Sequence, residues 1–274
     1  MPPAPTPPAR RRAPGVVALA LAAAACGPAP PIAVMSWNVH AGKDAEGRGS
    51  LARVAAVIRA SDADLILLQE VDSVTERSGG VDQLRQLAER TGHWPVFGRT
   101  LDFQGGGYGI GVLSRWPVRS AVVVPLPVTP PDSRAGGSHE PRGALVVRIR
   151  SPYGDLTVVN THLSADPSDS MRVQEMRRLV QLVDSVAAAG GPVLVGGDLN
   201  AEPESRVVAA LAGGAWRDAW PTCGQGRGET YPATDPVKRI DYLFLPPEVG
   251  CLDAQVLNTA ASDHRPVLLR VALP

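Results

Sequence analysis

Short runs of apolar, strand-like residues alternate with helical patterns along most of this 274-residue chain. The predicted strands cover residues 32–37, 65–69, 109–113, 118–124, 144–149, 156–160, 193–195, 240–245, 254–257 and 266–271. Apolar residues spaced three and four apart predict helices at 51–60, 81–90 and 168–189. Strands that alternate with helices are typical of an α/β domain, and the absence of an internal repeat excludes solenoids and propellers.

Polar side chains of the types used in catalysis stand at the ends of these predicted strands. They are Asn38, Glu70, His162, Asp198, Asn200, Asp241, Asp263 and His264. Rigid strand ends can bring such groups within a hydrogen bond of one another. Carboxylates and amides without cysteine are hard oxygen ligands that suit Mg²⁺, Mn²⁺ or Ca²⁺, and histidines titrate near neutral pH. Because the sequence has no nucleophile elbow, P-loop or HExxH motif, the pattern predicts a metal ion and an activated water.

Residues 1–25 differ in composition from the rest of the chain and have the layout of an export signal. Three arginines at 10–12 precede an apolar run at 15–25, which is shorter than the ~20 residues that a membrane-spanning helix needs. Small residues directly before Cys26 resemble a bacterial lipoprotein signal, which predicts that a lipid on Cys26 anchors the protein to a membrane. The alternative is an ordinary secretory signal cut near the same place. Residues 26–31 then form a Pro-rich linker, and 32–274 a single domain.

Export changes what the composition implies about partners and cysteines. The full sequence has 27 basic and 27 acidic residues, and residues 1–25 contain three arginines and no acid, so their removal leaves a net charge of −3. This charge excludes a strongly basic nucleic-acid binder and provides no general attraction to a phosphate backbone. The two cysteines other than Cys26, Cys223 and Cys251, are candidates for a disulfide in an oxidising compartment.

Eight motifs in the chain resemble those of one enzyme superfamily. They are SWNVH (36–40), LLQEV (67–71), GYGIGVLSRWP (107–117), EPRGAL (140–145), VVNTHL (158–163), VGGDLNAEP (195–203), RIDYLF (239–244) and SDHRPV (262–267). In this order they resemble the endonuclease/exonuclease/phosphatase superfamily, which includes deoxyribonucleases, abasic-site endonucleases, inositol-polyphosphate phosphatases and bacterial sphingomyelinases. The resemblance implies a four-layer α/β/β/α sandwich of two mixed β-sheets flanked by helices, with one cleft at the sheet edges.

The resemblance also implies how metal and phosphate are bound. Glu70 matches the principal metal-binding carboxylate of the superfamily, and Asn38 and Asp263 match groups beside the metal. The expected ion is Mg²⁺, with Mn²⁺ or Ca²⁺ as alternatives. Arg142 and Tyr108 stand where members of the superfamily often contact the substrate phosphate.

The remaining matched residues form the implied catalytic set. Asp198 and Asn200 match the pair that orients or deprotonates the attacking water and contacts the phosphate. His264 and His162 match the two histidines at the phosphate, and Asp241 matches the carboxylate that orients the His264 ring. Which of Asp198 and His264 takes the proton from water is left open by the sequence.

These assignments predict a metal-dependent hydrolase of phosphoric esters, and they favour phosphodiester hydrolysis by in-line attack of water. The substrate stays open between nucleic acid, a phospholipid head group and a small molecule, so sphingomyelinase, phospholipase C-like or phosphomonoesterase activity is an alternative. A second alternative is a non-catalytic surface lipoprotein that binds a phosphorylated ligand. We expect an exported monomer. For His40 and His93 the sequence favours structural or solvated roles, because nothing in it ties them to a carboxylate.

Overall fold

The computed structural model describes residues 30–131, 134–135 and 139–274. The predicted signal peptide, the lipidation site Cys26 and most of the predicted linker lie outside the described residues. Within those residues, no helix has the length and apolar character needed to cross a membrane.

Helices and strands follow the predicted order, with several additions. The helices are α1 (Leu51–Ser61), α2 (Gln83–Thr91), α3 (Ser170–Ala188), α4 (Arg206–Ala212) and α5 (Ala219–Cys223). The first six strands are β1 (Ile32–Asn38), β2 (Leu65–Ser73), β3 (Trp94–Phe103), β4 (Gly106–Ser114), β5 (Val118–Pro125) and β6 (Gly143–Ser151). The others are β7 (Gly154–His162), β8 (Val193–Asp198), β9 (Arg217–Asp218), β10 (Asp241–Leu245), β11 (Gly250–Val256) and β12 (Val267–Ala272).

Twelve strands form two mixed six-stranded sheets among the described residues. The first sheet has the order β11-β12-β1-β2-β4-β3, and the second has the order β5-β6-β7-β8-β10-β9. Two neighbouring pairs, β1 with β2 and β7 with β8, are parallel. These four strands lie inside their sheets and are buried over nearly their whole length, as expected for apolar runs covered on both faces.

Three apolar layers hold the sandwich together. The middle layer lies between the sheets, where Val34 and Leu67 of the first sheet meet Val147 and Leu194 of the second. One outer layer packs α1 and α2 on the first sheet, and the other packs α3 and α4 on the second. The predicted four-layer α/β/β/α sandwich is therefore confirmed.

The strand β3 and the helices α4 and α5 were not among the predicted elements. β3 is an edge strand in which only Gly98 and Leu101 are buried, so its sequence lacks the continuous apolar run of an inner strand. The two helices have seven and five residues, which is too short for a clear helical period. The predicted strand at 65–69 also extends to Ser73, past Glu70.

A disulfide joins Cys223 of α5 to Cys251 of β11, with a Cα–Cα distance of 5.8 Å. The pairing proposed for these two cysteines is therefore confirmed. The bond fastens one end of the segment between α5 and β10 to the first sheet.

Removal of this disulfide is expected to lower the free energy of unfolding by ~3 kcal/mol, because the bond closes a loop between residues separated by 28 positions. For a domain of this size we expect a fall in Tm of about 6–12 °C. Thermal unfolding of the Cys223→Ser, Cys251→Ser double variant measures the effect. The variant should be insensitive to dithiothreitol, whereas the unaltered protein should lose the same stability on reduction. Equal Tm values with and without dithiothreitol in the unaltered protein would contradict the prediction.

Candidate active site

The register of the second sheet brings three of the predicted site residues to one edge. His162 is the last residue of β7 and lies opposite Asp198, the last residue of the parallel strand β8. Asp241 is the first residue of β10, and because β10 is antiparallel to β8, it also lies opposite Asp198. The Gly197 preceding Asp198 has a φ of 147°, and a Cβ there would stand 1.9 Å from the Thr161 carbonyl oxygen. Glycine at this position thus permits the close approach of β7 and β8.

The first sheet presents its predicted site residues to the same cleft. Asn38 is the last residue of β1. Glu70 lies at an irregularity in the pairing of β2 with β4 and has a φ of 55°, which is unusual for a residue other than glycine. Asp263 and His264 precede β12, which runs antiparallel to β1 and therefore begins beside the end of β1. Positive φ at a residue other than glycine, as at Glu70, is a form of backbone strain that concentrates at functional sites.

Asn38 connects the two sheets at this edge. Its Nδ2 atom donates to Glu70 Oε1 and to Asp198 Oδ2, each at 3.0 Å, and its Oδ1 atom accepts from the backbone N–H of His40. In this geometry Asn38 orients the two carboxylates through its nitrogen. Its predicted place as a metal ligand stays a prediction.

His264 lies between two carboxylates. Its Nδ1 atom is 2.9 Å from Asp241 Oδ2, and its Nε2 atom is 3.7 Å from Asp198 Oδ2. Burial by itself would lower the pKa of His264, but the charges of Asp241 and Asp198 and the hydrogen bond to Asp241 outweigh it and raise the pKa to about 10. The imidazole is therefore a cation at neutral pH, with a proton on each ring nitrogen, and its Nδ1–H donates to Asp241.

Asp198 has the properties of a proton acceptor. Burial, followed by the charge of Asp241, raises its pKa to about 7, against the opposing effects of His264 and two hydrogen bonds. Those bonds come from Asn38 Nδ2 and from the backbone N–H of Asn200. A general base is most effective when its pKa lies near the working pH. Of the two candidates left open by the sequence, Asp198 is in the better protonation state to accept a proton.

His162 is held in one tautomer by a buried arginine. Arg142 Nη1 lies 2.7 Å from His162 Nδ1, and because a guanidinium has no acceptor atom, Nδ1 must accept and the ring proton must be on Nε2. Nε2 lies 3.6 Å from Asp198 Oδ2 and 3.1 Å from Asn200 Nδ2. Asn200 Nδ2 is itself a donor, to the Leu163 carbonyl oxygen, so it does not accept the Nε2 proton. Burial first, and then the charges of Arg142 and His264, lower the pKa of His162 well below its usual value. Within one site, His162 is therefore neutral and His264 is a cation.

We expect ¹⁵N NMR of histidine-labelled protein to show His162 as a neutral ring protonated on Nε2 at pH 6, where a free histidine is largely protonated. The sign follows from the lowered pKa, since the ring gains its second proton only at more acidic pH. The chain has five histidines, so His162→Gln assigns the signal by its disappearance. A ring protonated on Nδ1 at pH 6 would show that Arg142 does not set the tautomer.

One cleft of about 520 Å³ contains the converging groups. Its lining includes seven of the predicted residues, which are Glu70, Arg142, His162, Asp198, Asn200, Asp263 and His264. Asp241 and Asn38 lie directly behind this surface through their bonds to His264 and Asp198. The strand ends that the sequence singled out therefore meet at one place.

A model of the endonuclease/exonuclease/phosphatase family matches residues 35–264 of the chain. The chain belongs to this family. A solved family structure from Beutenbergia cavernae is 26% identical to it, with a TM-score of 0.71 over 89% of this chain and 72% of that one. A Bacteroides thetaiotaomicron mannosyl-6-phosphatase is 18% identical, with a TM-score of 0.74 over 88% and 99% of the two chains. The catalytic domain of human Nocturnin, with bound sulfate, is 20% identical, with a TM-score of 0.71 over 89% and 94%.

Enzymes of the endonuclease/exonuclease/phosphatase family depend on divalent metals, and the donor set of this cleft fits such an ion. Asp198, Asp241 and His264 offer ligand atoms within 4.8 Å of one another. However, a His264 ring that is protonated on both nitrogens has no lone pair for a metal, and its single positive charge lies between the two aspartates. The carboxylates of Glu70 and Asp263 line the same cleft. Glu70 accepts a hydrogen bond from Asn38 and forms no ion pair with any residue that the structure describes. Hard carboxylate oxygens of this kind suit Mg²⁺ or Mn²⁺.

The two residues predicted to contact the phosphate, Arg142 and Tyr108, contact other residues of the protein in this structure. Arg142 reaches the cleft, but its guanidinium is only 5% exposed and contacts Glu140 Oε1 at 2.6 Å as well as His162. Tyr108 is 2% exposed and lies behind the cleft wall, beside Arg77 and Phe103. Arg142 thus acts on His162 in this structure, and Tyr108 belongs to the packing behind the site.

Several residues at the site were missed by the sequence analysis. Thr230 Oγ1 donates to Asp241 Oδ2 at 2.6 Å, and the Tyr231 ring lies 4.8 Å from the His264 ring. Trp37 Nε1 donates to the His264 carbonyl oxygen, and Gln69 Nε2 donates to Asn160 Oδ1 across the two sheets. None of these polar contacts has a sequence signal, because the partners are far apart in the chain.

His40 approaches a carboxylate that the sequence did not tie to it, and the structural or solvated role predicted for it stays a prediction. Its Nδ1 atom lies 3.7 Å from Asp263 Oδ1, and its φ of 48° places it in the left-handed region. His93 has ring nitrogens 3.1 Å and 3.0 Å from the carbonyl oxygens of Thr91 and Ala63, which agrees with the structural role predicted for it.

Proposed function

We propose that this protein is a divalent-metal-dependent phosphoesterase that hydrolyses phosphodiester bonds by direct attack of water. The observation that carries the proposal is the convergence in one cleft of the carboxylates of Glu70 and Asp263, a buried aspartate of raised pKa and a histidine cation. Hydrolysis of a phosphoester needs charge neutralisation at the non-bridging oxygens, a base for the water and donors for the developing charge. These residues provide all three.

The residues divide the work according to their charge. Glu70, with Asp263 and Asn38, would hold a Mg²⁺ ion, which when bound neutralises negative charge on the phosphate. Asp198 accepts a proton from water as the water oxygen bonds to phosphorus and the ester P–O bond breaks. The leaving oxygen departs with the bonding electron pair and is protonated by solvent. His264 Nε2–H and the Nε2–H of His162 donate to the phosphate oxygens.

The structural neighbours support phosphoester chemistry in general. One is a mannosyl-6-phosphatase, another was solved with a bound sulfate anion, and both share the fold of this chain. Because their identity to this chain is below 25%, they support the fold and leave open the choice between diester and monoester. The phosphomonoesterase alternative therefore enters the test below.

We also propose that the protein acts outside the cytoplasm as a monomer, either secreted or anchored through a lipid on Cys26. This proposal rests on the basic and apolar segments of residues 1–25 and on the small residues before Cys26. The disulfide between Cys223 and Cys251 supports it, since such bonds persist in oxidising compartments.

A panel of substrates tests the proposed activity. The purified protein is incubated with Mg²⁺ or Mn²⁺ and, in parallel, bis-p-nitrophenyl phosphate, p-nitrophenyl phosphate, plasmid DNA and sphingomyelin. We expect turnover that EDTA abolishes, with the diester faster than the monoester. Faster cleavage of the monoester would favour a phosphomonoesterase, and no EDTA-sensitive turnover of any compound would favour the phosphate-binding lipoprotein.

A further inference from the structure

Three segments of the chain each place an aromatic residue next to a proline, and all three lie at one end of the sandwich. They are Trp94–Pro95 at the start of β3, Trp116–Pro117 between β4 and β5, and Pro152–Tyr153 between β6 and β7. Trp94 is 56% exposed and Tyr153 is 38% exposed. Every other Trp, Tyr and Phe side chain in the described ranges is buried or half-buried. The exposed aromatic rings are therefore confined to this end.

Trp94, Trp116 and Tyr153 form one continuous surface, which we call the aromatic surface. Trp94 pairs with Ser114 in the register of β3 with β4, and the Ser114 hydroxyl bonds to the backbone N–H and the carbonyl oxygen of Trp116. The Trp116 and Tyr153 rings meet edge to face, with centroids 6.3 Å apart. A cluster of exposed aromatic rings on a soluble face marks a surface for binding.

The aromatic surface lies at the end of the sheets opposite the cleft. The strand β7 runs from Gly154, beside Tyr153, to His162 in the cleft. Its eight residue steps separate the two ends by ~26 Å. In the first sheet, β1 likewise begins at the far end with Ile32 and reaches the cleft at Asn38. A ligand of the aromatic surface is therefore too far away to touch the reacting groups.

The segment that leads to the proposed lipid anchor enters the domain at this same end. One row of paired residues crosses the first sheet from Val34 on β1, through β2 and β4, to Trp94 on β3. Three strand spacings place these two residues ~14 Å apart. Cys26 is four residues before Pro30, the first described residue, so the covalent chain keeps the two within ~15 Å. A lipid on Cys26 thus holds the aromatic surface close to the bilayer.

The charges beside the three rings balance one another. The ion pairs here join Arg115 to Asp62 and Asp64, and Arg119 to Asp155. Arg150, on the same hairpin as Tyr153, is exposed and forms no ion pair with a residue that the structure describes. Three arginines therefore face three aspartates. Contact with a bilayer then depends on the rings and does not require anionic lipid.

We propose that the aromatic surface lies in the head-group region of the bilayer to which Cys26 anchors the protein, with the cleft facing away from that bilayer. The inference rests on the proposed lipid anchor and goes beyond the proposed activity. Trp and Tyr favour the head-group region because their rings are apolar while the N–H or O–H group stays in contact with water. The short tether keeps the surface at a high local concentration beside the bilayer, so a weak contact is sufficient. In this orientation the cleft takes phosphoesters from solution rather than head groups of the same bilayer.

Quenching of tryptophan fluorescence by brominated lipid tests this inference. The chain from Cys26 to Pro274 is coupled through the Cys26 thiol to a maleimide lipid in phosphatidylcholine vesicles, since Cys223 and Cys251 are joined in the disulfide. When phosphatidylcholine brominated near the head group replaces the ordinary lipid, we expect a loss of about 20–40% of the emission, because one or two of the five tryptophans lie at the interface. Trp94→Phe should remove at least half of this quenching.

A tryptophan placed at the opposite end reports the orientation. Val237 is 56% exposed, as Trp94 is, and it precedes Lys238 in the cleft lining. Addition of Val237→Trp to the Trp94→Phe protein should therefore add no quenching. Quenching of the added tryptophan, undiminished quenching in Trp94→Phe, or no quenching of the unaltered protein would each overturn the proposal.

The outcomes separate this inference from the proposed activity. A coupled protein that hydrolyses bis-p-nitrophenyl phosphate without any quenching would keep the activity and lose the membrane contact. Quenching without turnover of any ester would do the reverse. Mass spectrometry of the protein from bacterial membranes tests the anchor itself, and an unmodified Cys26 there would overturn the inference in the cell.

Discussion

Replacement of Asp198 by asparagine is expected to lower kcat/KM for phosphodiester hydrolysis by at least about a thousand-fold. The substitution keeps the shape of the side chain and removes its ability to take a proton from water. It also removes one of the two carboxylates that keep His264 protonated. His264→Ala is expected to cause a loss of similar size, because it removes the cation that we propose as a donor to the phosphate. Initial rates with bis-p-nitrophenyl phosphate measure both effects.

A control must show that the loss is local to the site. Asp102→Asn removes a carboxylate that is 85% exposed and paired with Arg99 on β3, and it should leave kcat/KM within about two-fold of the original. The Asp198→Asn protein should keep its far-UV circular dichroism and melt cooperatively. Near-original turnover in folded Asp198→Asn would remove Asp198 from the mechanism and leave His264 as the candidate base.

Glu70→Gln is expected to raise the Mg²⁺ concentration needed for half-maximal activity by at least about a hundred-fold. The reason is that the amide has no net charge, and losing one carboxylate ligand weakens a site more than the ten- to hundred-fold effect of an outer-shell change. The hydrogen bond from Asn38 can be kept by the new amide oxygen, so the fold should survive. Titration of activity with Mg²⁺ measures the change.

A readout without turnover separates metal binding from catalysis. Mn²⁺ should raise the Tm of the unaltered protein, because a ligand that binds only the native state stabilises it, and the rise should be much smaller in Glu70→Gln. Glu76→Gln, which alters an exposed acid a few residues further along the chain, serves as the control and should respond as the original does. If Glu70→Gln shows an undiminished rise in Tm, the metal is held elsewhere, and the carboxylates of Asp198 and Asp241 become the candidates.

The two histidines show how one site gives the same side chain two charge states. Both are buried, and burial alone would make both neutral. Arg142 beside His162 reinforces that effect, whereas Asp241 and Asp198 beside His264 reverse it. The neighbours thereby fix His162 as a neutral donor and His264 as a cation.

Much of the fold and most of the site residues could be predicted from the sequence. Inner strands such as β1 and β8 are largely apolar runs, because a helix layer covers one face and the other sheet covers the opposite face. Such a run can be recognised in the sequence without any knowledge of the fold. The edge strand β3 lacks that signal because it is half exposed. Likewise Thr230 and Tyr231 lie in a loop without periodicity, and their contact with the site depends on the return of the chain toward β10.

By itself the sequence determined the alternation of strands and helices, the two candidate disulfide cysteines and the polar groups at the strand ends. These are local properties, since each depends on neighbours within a few residues. Only the tertiary structure decided that Asp198, rather than His264, is suited to accept a proton, and that Arg142 acts on His162. A pKa or a tautomer depends on burial and on charges a few ångströms away, and those neighbours come from distant parts of the chain.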